Sequence, residues 1–258
     1  SPIIYKKENM LFLNEYRHAF KNGFLTLDTS YNQGYKKTSS TKTDGSRNHI
    51  FGELDLDLSK DQSYESNLSF KIQKTSNDTY FKVHDINTAL VDSGKTNLEN
   101  IVSYNFEKDN TSLNISGTVY ENLSTDGNSR YEYILPNIIF GKSFFTKKFG
   151  TIDFESNAYY KNYSVNKHTT FLDNDIIWSS NSFITKKGLV NTFGGMLNNK
   201  NYEAKNTTEY KTKGTINELS GVVSFKSSLP MQKKGINFSK IFSPNFMVRY
   251  APGHMKDL

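Results

Sequence analysis

Acidic side chains recur at every second position in Glu53, Asp55 and Asp57, and Glu65 and Lys71 follow in the next stretch of chain. Paired carboxylates can share general-acid and general-base work, as in glycoside hydrolysis. Here Lys71 falls on the same face of a neighbouring strand, so the group reads as a hydrated ionic network rather than a reaction centre. The five histidines, His18, His49, His84, His168 and His254, lie far apart, and no spacing among them matches a metal site. His84-Asp85 and His168 fall in predicted loops and are the only seeds for a Ser/His or Asp/His nucleophile system. The chain has no glycine-rich phosphate loop, no Gly-x-Ser-x-Gly elbow and no His-Glu-x-x-His zinc motif. Without cysteine it has neither disulfide nor thiolate metal site. These residue types argue against an enzyme and call for no cofactor.

The elements that carry these residues show a period of two. From His49 to Leu58, the even positions hold Ile50, Gly52, Leu54, Leu56 and Leu58, while the odd ones hold His49, Phe51, Glu53, Asp55 and Asp57. Alternation of this kind marks a strand lying between water and something apolar. The next segment sets Tyr64, Leu68, Phe70 and Ile72 against Glu65, Asn67, Ser69, Lys71 and Gln73, and only Lys60 to Ser63 separates the two, predicting a hairpin. Leu113, Ile115, Gly117 and Val119 alternate with serine, asparagine and threonine. Ile152, Phe154, Ala158 and Tyr160 alternate with Thr151, Asp153, Glu155 and Asn157. No segment has a convincing helical period.

Twelve strands are predicted, at 11–20, 24–31, 49–59, 64–74, 98–106, 111–120, 130–142, 150–161, 170–184, 189–202, 217–229 and 243–251. Ile3 to Tyr5 reads as the end of an earlier strand, followed by a turn from Lys6 to Asn9. Short turns at Lys21 to Gly23, Lys60 to Ser63, Glu107 to Asn110 and Thr185 to Gly188 take turns with longer polar stretches. Those stretches are Asn32 to Asn48, Lys74 to Asn97, Glu121 to Ser129, Asn162 to Thr169 and Glu203 to Ile216. Sorting of this kind is expected of an all-β, antiparallel transmembrane β-barrel, with short turns at one rim and long loops at the other. Composition agrees. The mean hydropathy of −0.64 is too polar for a large dry core, yet 19 Phe and 16 Tyr argue against a disordered chain. The net charge of +6 comes from lysines and arginines scattered among acids, which implies no nucleic-acid partner. Pro136, Pro244 and Pro252 each delete a ladder donor, so pairing should break there. Gly194-Gly195 marks a bulge or a close approach, and the single tryptophan, Trp178, suits a membrane interface or equally a plain wall position.

Five stretches resemble the LptD (OstA) family of outer-membrane lipopolysaccharide assembly proteins. Glu15-Tyr16-Arg17 before Asn22-Gly23 is similar to the family's early strand pair. Arg47-Asn48-His49-Ile50-Phe51 is similar to its Arg-x-His-hydrophobic-Phe segment, and Ser76 to Phe81 to its Ser-Asp-aromatic loop. Leu135-Pro136 matches a Leu-Pro before a wall strand, and Arg249-Tyr250-Ala251-Pro252 an Arg-Tyr-Ser/Ala-Pro segment. The resemblance implies about twelve strands of a larger outer-membrane barrel, truncated at both ends, since the residues from Met255 to Leu258 read as loop. It implies lipopolysaccharide as cargo, an LptE-like plug lipoprotein inside, and periplasmic bridge proteins reached through a missing N-terminal domain. Glu53, Asp55, Asp57, Glu65, Lys71, Asp153 and Glu155 are then expected to face the lumen. Leu54, Leu56, Leu58, Leu68, Phe70, Ile72, Ile152 and Phe154 are expected to face lipid. A passive porin or receptor barrel and a soluble β-rich binding module are the competing expectations.

Overall fold

Alternating side chains need a sheet with two unlike faces, and the computed structural model contains one. It describes residues 2–4, 9–33, 47–125, 127–208, 214–236 and 238–252, apart from the side chains of Lys82 and Asn128. The strands are β1 (Pro2–Ile3), β2 (Leu11–Phe20), β3 (Gly23–Asn32), β4 (Arg47–Asp57), β5 (Glu65–Thr75), β6 (Asn97–Lys108), β7 (Thr111–Asn122) and β8 (Tyr131–Thr146). They continue with β9 (Gly150–Tyr163), β10 (Lys167–Ser179), β11 (Phe183–Ile184), β12 (Val190–Lys205), β13 (Thr215–Ser228), β14 (Met231–Lys234), β15 (Ser239–Phe242) and β16 (Asn245–Tyr250). One short helix, α1 (Tyr80–His84), lies between β5 and β6.

Each strand pairs with the next in one fourteen-stranded antiparallel sheet, in the order β1 to β10, then β12, β13 and β16, with β11 pairing to β12. β14 and β15 form a separate hairpin. The path is open, and β1 and β16 do not pair with each other. The count exceeds the expected twelve because two-residue strands join the sheet. β1 is the expected strand end, and β11 continues the predicted 170–184 strand after a break at 180–182. That break arises because Ser180 and Phe193 exchange bonds (Ser180 N–H to the Phe193 carbonyl, 2.8 Å, and Phe193 N–H to Ser180 Oγ, 2.8 Å). The Lys6 to Asn9 turn, most of the Asn32 to Asn48 loop, His254 and the ending from Met255 to Leu258 lie outside the described residues, wholly or in large part.

The registers keep unlike residues apart across the whole sheet. Glu53 pairs with Lys71, Leu54 with Leu25 and Phe70, and Asp55 with Ser69. Phe70 pairs with Val102, Ile115 with Tyr104 and Ile138, and Phe154 with Lys142 and Ile176. One face is therefore mostly apolar and the other mostly polar. Proline interrupts the ladder where it was expected to do so. The β8–β9 register shifts between Ile134 and Asn137, across Leu135-Pro136, since proline has no N–H to donate.

Short turns 21–22, 58–64, 109–110, 147–149 and 185–189 share one rim, and the longer connections 76–96, 123–130 and 206–214 share the other. In the 58–64 turn the Ser63 hydroxyl and N–H both donate to Asp61, which holds that carboxyl below its ordinary pKa. Two connections break the pattern. The expected long stretch Asn162 to Thr169 is a tight turn, with Tyr163 paired to Lys167. Ser164 and Asn166 close it with φ of 53° and 56°, a conformation that asparagine tolerates through its own side-chain bonding. At the short-turn rim, β13 and β16 are joined by the β14–β15 hairpin instead of a short turn. Leu58 is corrected too: β4 ends at Asp57, and Leu58 stands in the turn, its N–H bonded to the Ser66 carbonyl at 2.6 Å.

Candidate functional site

Burial runs opposite to that of an oil-drop protein. Among the described residues, ten hydrophobic side chains are buried against nineteen polar or charged ones. On β3, Thr26, Asp28, Ser30 and Asn32 are buried, while Tyr31 on the other face is 47% exposed. On β4, His49 is fully buried and the adjacent Ile50 is 45% exposed. Polar side chains need partners when water is removed, so the polar face should carry a bonded network.

It does, in three groups. The first is the predicted one: Lys71 Nζ lies 3.0 Å from Glu99 Oε2 and 3.9 Å from Glu53 Oε1. Asp55, Asp57 and Glu65 share that face, by register. The second lies across β8–β12, where Ser143 Oγ donates to Asp153 at 2.5 Å and Glu155 pairs across to Asp175. Asn198 Nδ2 donates to both Asp173 (2.6 Å) and Asp175 (2.8 Å), and Lys200 lies 3.7 Å from Asp173. The expected lipid-facing residues Leu54, Leu56, Leu68, Phe70, Ile72, Ile152 and Phe154 all stand on the opposite, apolar face by register.

The third group escaped the sequence reading. Segment 76–96 packs its helix α1 against the polar face of β3 and β4. Tyr80 and Phe81 join Phe51, Leu11, Ile86, Val91, Leu98 and Leu123 in the one apolar cluster of buried residues described. Phe81 meets Phe51 edge-on, with ring centroids 5.5 Å apart, and His49 lies 5.8 Å from Tyr80. Beneath them His49 Nε2 lies 3.0 Å from Asp28 Oδ1, and His49 Nδ1 lies 2.5 Å from Ser30 Oγ, which is also bonded to the Tyr80 hydroxyl. A second tie holds the segment's start. Arg130 Nη2 reaches Asp78 at 3.1 Å, Nη1 lies 3.8 Å from Glu121, and Nε donates to the Thr125 carbonyl at 2.9 Å.

Asp28, His49 and Ser30 have the composition of a hydrolase triad, but the arrangement does not support that chemistry. Ser30 Oγ is bonded to the Tyr80 hydroxyl as well as to His49, and all three side chains are buried beneath Tyr80, so no acyl group can approach in this conformation. The network is a fastening. The expected histidine seeds stand apart from this group: His84 is buried at the end of α1 against the Tyr80 ring, and His168 stands in β10, not a loop, beside Tyr160. The signal that was available lies in the spacing of Asp28 and Ser30, two apart on one strand face. The pairing of Ser30 with His49 needed the β3–β4 register.

The remaining residues of the family-like stretches scatter. Glu15 and Arg17 form an exposed ion pair on β2, Arg47 is buried beside the third group, and Arg249, Tyr250 and Pro252 are exposed at the β16 end. Trp178 stands on the apolar face at the short-turn rim and donates Nε1–H to the Phe149 carbonyl at 2.7 Å. Gly195 lies beside its ring; a Cβ there would meet Trp178 Cε3 at 3.5 Å, an ordinary van der Waals contact. The fold is that of an all-β protein built on one large antiparallel sheet. No protein-family model matches the chain, and no characterised protein matches its sequence.

Proposed function

We propose that this chain forms part of the wall of an outer-membrane β-barrel and serves lipopolysaccharide transport to the outer leaflet, as its resemblance to the LptD family implies. The observation that carries the membrane part is the inverted burial. Bonded polar side chains lie covered on one face, while Ile50, Phe70, Val102, Ile115, Phe144, Leu172 and Phe193 stand exposed on the other. In water such a face would drive aggregation; in hydrocarbon it is the favoured surface.

Aromatic residues border that face at both rims. Phe20, Phe106, Phe144, Trp178 and Phe193 line the short-turn side, and Tyr31, Tyr133 and Tyr160 the other. On β9 the Trp178 partner Ile152 and Tyr160 are eight residue steps apart, a rise of about 26 Å along the strand. At a strand tilt of about 35–45° that is a height of about 18–21 Å, comparable with an apolar band of about 25 Å flanked by aromatic girdles. The free edges at β1 and β16 would need further strands, because unpaired backbone groups cost several kcal/mol each in lipid.

On this reading the polar face lines the conduit. Asp153, Glu155, Asp173, Asp175 and Lys200 offer hydrogen bonds to hydrated sugars, and an LptE-like lipoprotein fills the remaining lumen. The role is transport, with no covalent step. Two experiments test it. Single cysteines introduced along 50–57 of this cysteine-free chain should react alternately with lipid-soluble and water-soluble reagents; labelling without a period of two would refute the wall. Depleting the parent protein should remove surface lipopolysaccharide. Viable cells with unchanged lipopolysaccharide, and open-pore conductance, would instead mark a passive porin.

A further inference from the structure

We propose that the short-turn rim from β8 to β16 is a contact site for the phosphate headgroups of acidic phospholipids in the adjoining leaflet. This rests on the membrane reading above. Three separate connections each carry a Lys-Lys pair: Lys147-Lys148 and Lys186-Lys187 in turns, and Lys233-Lys234 at the end of β14, with Lys240 on the facing strand of that hairpin. They are dispersed in sequence, and antiparallel pairing brings all of them to one rim. All are exposed.

No acid offsets them. Residues 141–150, 180–189 and 219–252 contain neither Asp nor Glu. Among the described residues none of these lysines is within ion-pair distance of a carboxylate. The first half of the same rim differs, with Asp57, Asp61, Glu107 and Asp109 among its lysines. The basic half therefore attracts anions, and its neighbours decide which kind. Lys148 Nζ lies 5.3 Å from the Phe149 ring centre and Lys240 Nζ 5.4 Å from that of Phe238. Phe149, Ile236, Ile241 and Phe242 are all more than half exposed. Ammonium groups beside exposed apolar side chains match an anionic headgroup above acyl chains, since one end wants phosphate and the other hydrocarbon. The rim also continues the apolar face through Trp178, bonded to the β8–β9 turn itself.

The single tryptophan gives the assay. The parent protein, with Trp178 kept as its sole tryptophan, is refolded into phosphatidylcholine vesicles in which either phosphatidylglycerol or phosphatidylcholine is brominated on upper acyl carbons, so that lipid touching Trp178 quenches it. Phosphatidylglycerol should be preferred about fivefold or more at low salt, the factor expected for one lysine near the surface. The preference should fall towards unity at about 0.5 M salt. It should also be lost in the Lys147→Gln, Lys148→Gln, Lys186→Gln, Lys187→Gln variant and kept in the matching arginine variant. Should the glutamine variant fail to fold, salt dependence and the arginine variant still decide. Equal quenching by both lipids overturns the proposal and leaves the wall reading intact, whereas no quenching by either lipid overturns both. Preference for added lipid A with none for phosphatidylglycerol overturns the assignment to phospholipid.

Discussion

Arginine placed at residue 54 and at residue 55 puts the same side chain into the same strand on opposite faces. Leu54 is half-buried, pairs with Leu25 and Phe70, and sits inside the apolar band. Asp55 is exposed on the polar face opposite Ser69. Arginine on a barrel's lipid face costs about 2–4 kcal/mol at the midplane and about 0–1 kcal/mol near the interface, so Leu54, two residues further in than Leu56, should lose about 1–2 kcal/mol. At about 1.36 kcal/mol per decade, that is roughly a 5- to 30-fold loss in the folding equilibrium. Asp55→Arg is a watery-face substitution and should change stability by no more than about 0.5 kcal/mol. Depth supplies an internal control, because Leu56, one residue from the end of β4, stands near the rim, where arginine costs about 0–1 kcal/mol. Equilibrium urea unfolding in vesicles, followed by Trp178 emission, measures all three. The expected order is Leu54→Arg above Leu56→Arg, with Asp55→Arg near zero. Penalties at 54 and 55 that agree within about 0.5 kcal/mol would refute the assignment of the faces.

Three further outcomes follow from the fastened segment and one turn. Arg130→Met strands Asp78 and Glu121 without their buried cation and should cost about 3–5 kcal/mol, with a double-mutant cycle against Asp78→Asn recovering much of it. If the two losses simply add, the pair is not coupled. Tyr80→Phe removes the hydroxyl bonded to Ser30 and should cost about 0.5–1.5 kcal/mol. Faster amide exchange confined to 76–96 is the expected signature; unchanged exchange there would remove Tyr80 from the fastening. Gly150→Ala should sharply lower the folded yield, since Gly150 has φ +87° and a Cβ there would lie 2.1 Å from the Ser179 carbonyl oxygen. Gly127→Ala, at φ +65° with open space around it, should cost only about 1 kcal/mol, and equal yields for the two would contradict the turn geometry.

What could be read from residue order alone was whatever depends on neighbours two apart. A strand's side chains alternate by geometry, so Leu54 and Asp55 declared opposite faces before any partner was known, and the strand limits followed to within a few residues. The proline break at Leu135-Pro136 was legible for the same local reason, a missing N–H. Tertiary structure decided what depends on register and on chain returning from a distance. Ser30 meets His49 only because β3 and β4 pair in one of several possible offsets, and Tyr80 covers them only because segment 76–96 turns back onto the polar face. Asn162 to Thr169 looked like a long loop because polar residues read alike in loops and in paired strands; its tight turn needed Ser164 and Asn166 in left-handed conformations. The three Lys-Lys pairs, 39 and 47 positions apart in the chain, became one basic rim through antiparallel pairing alone.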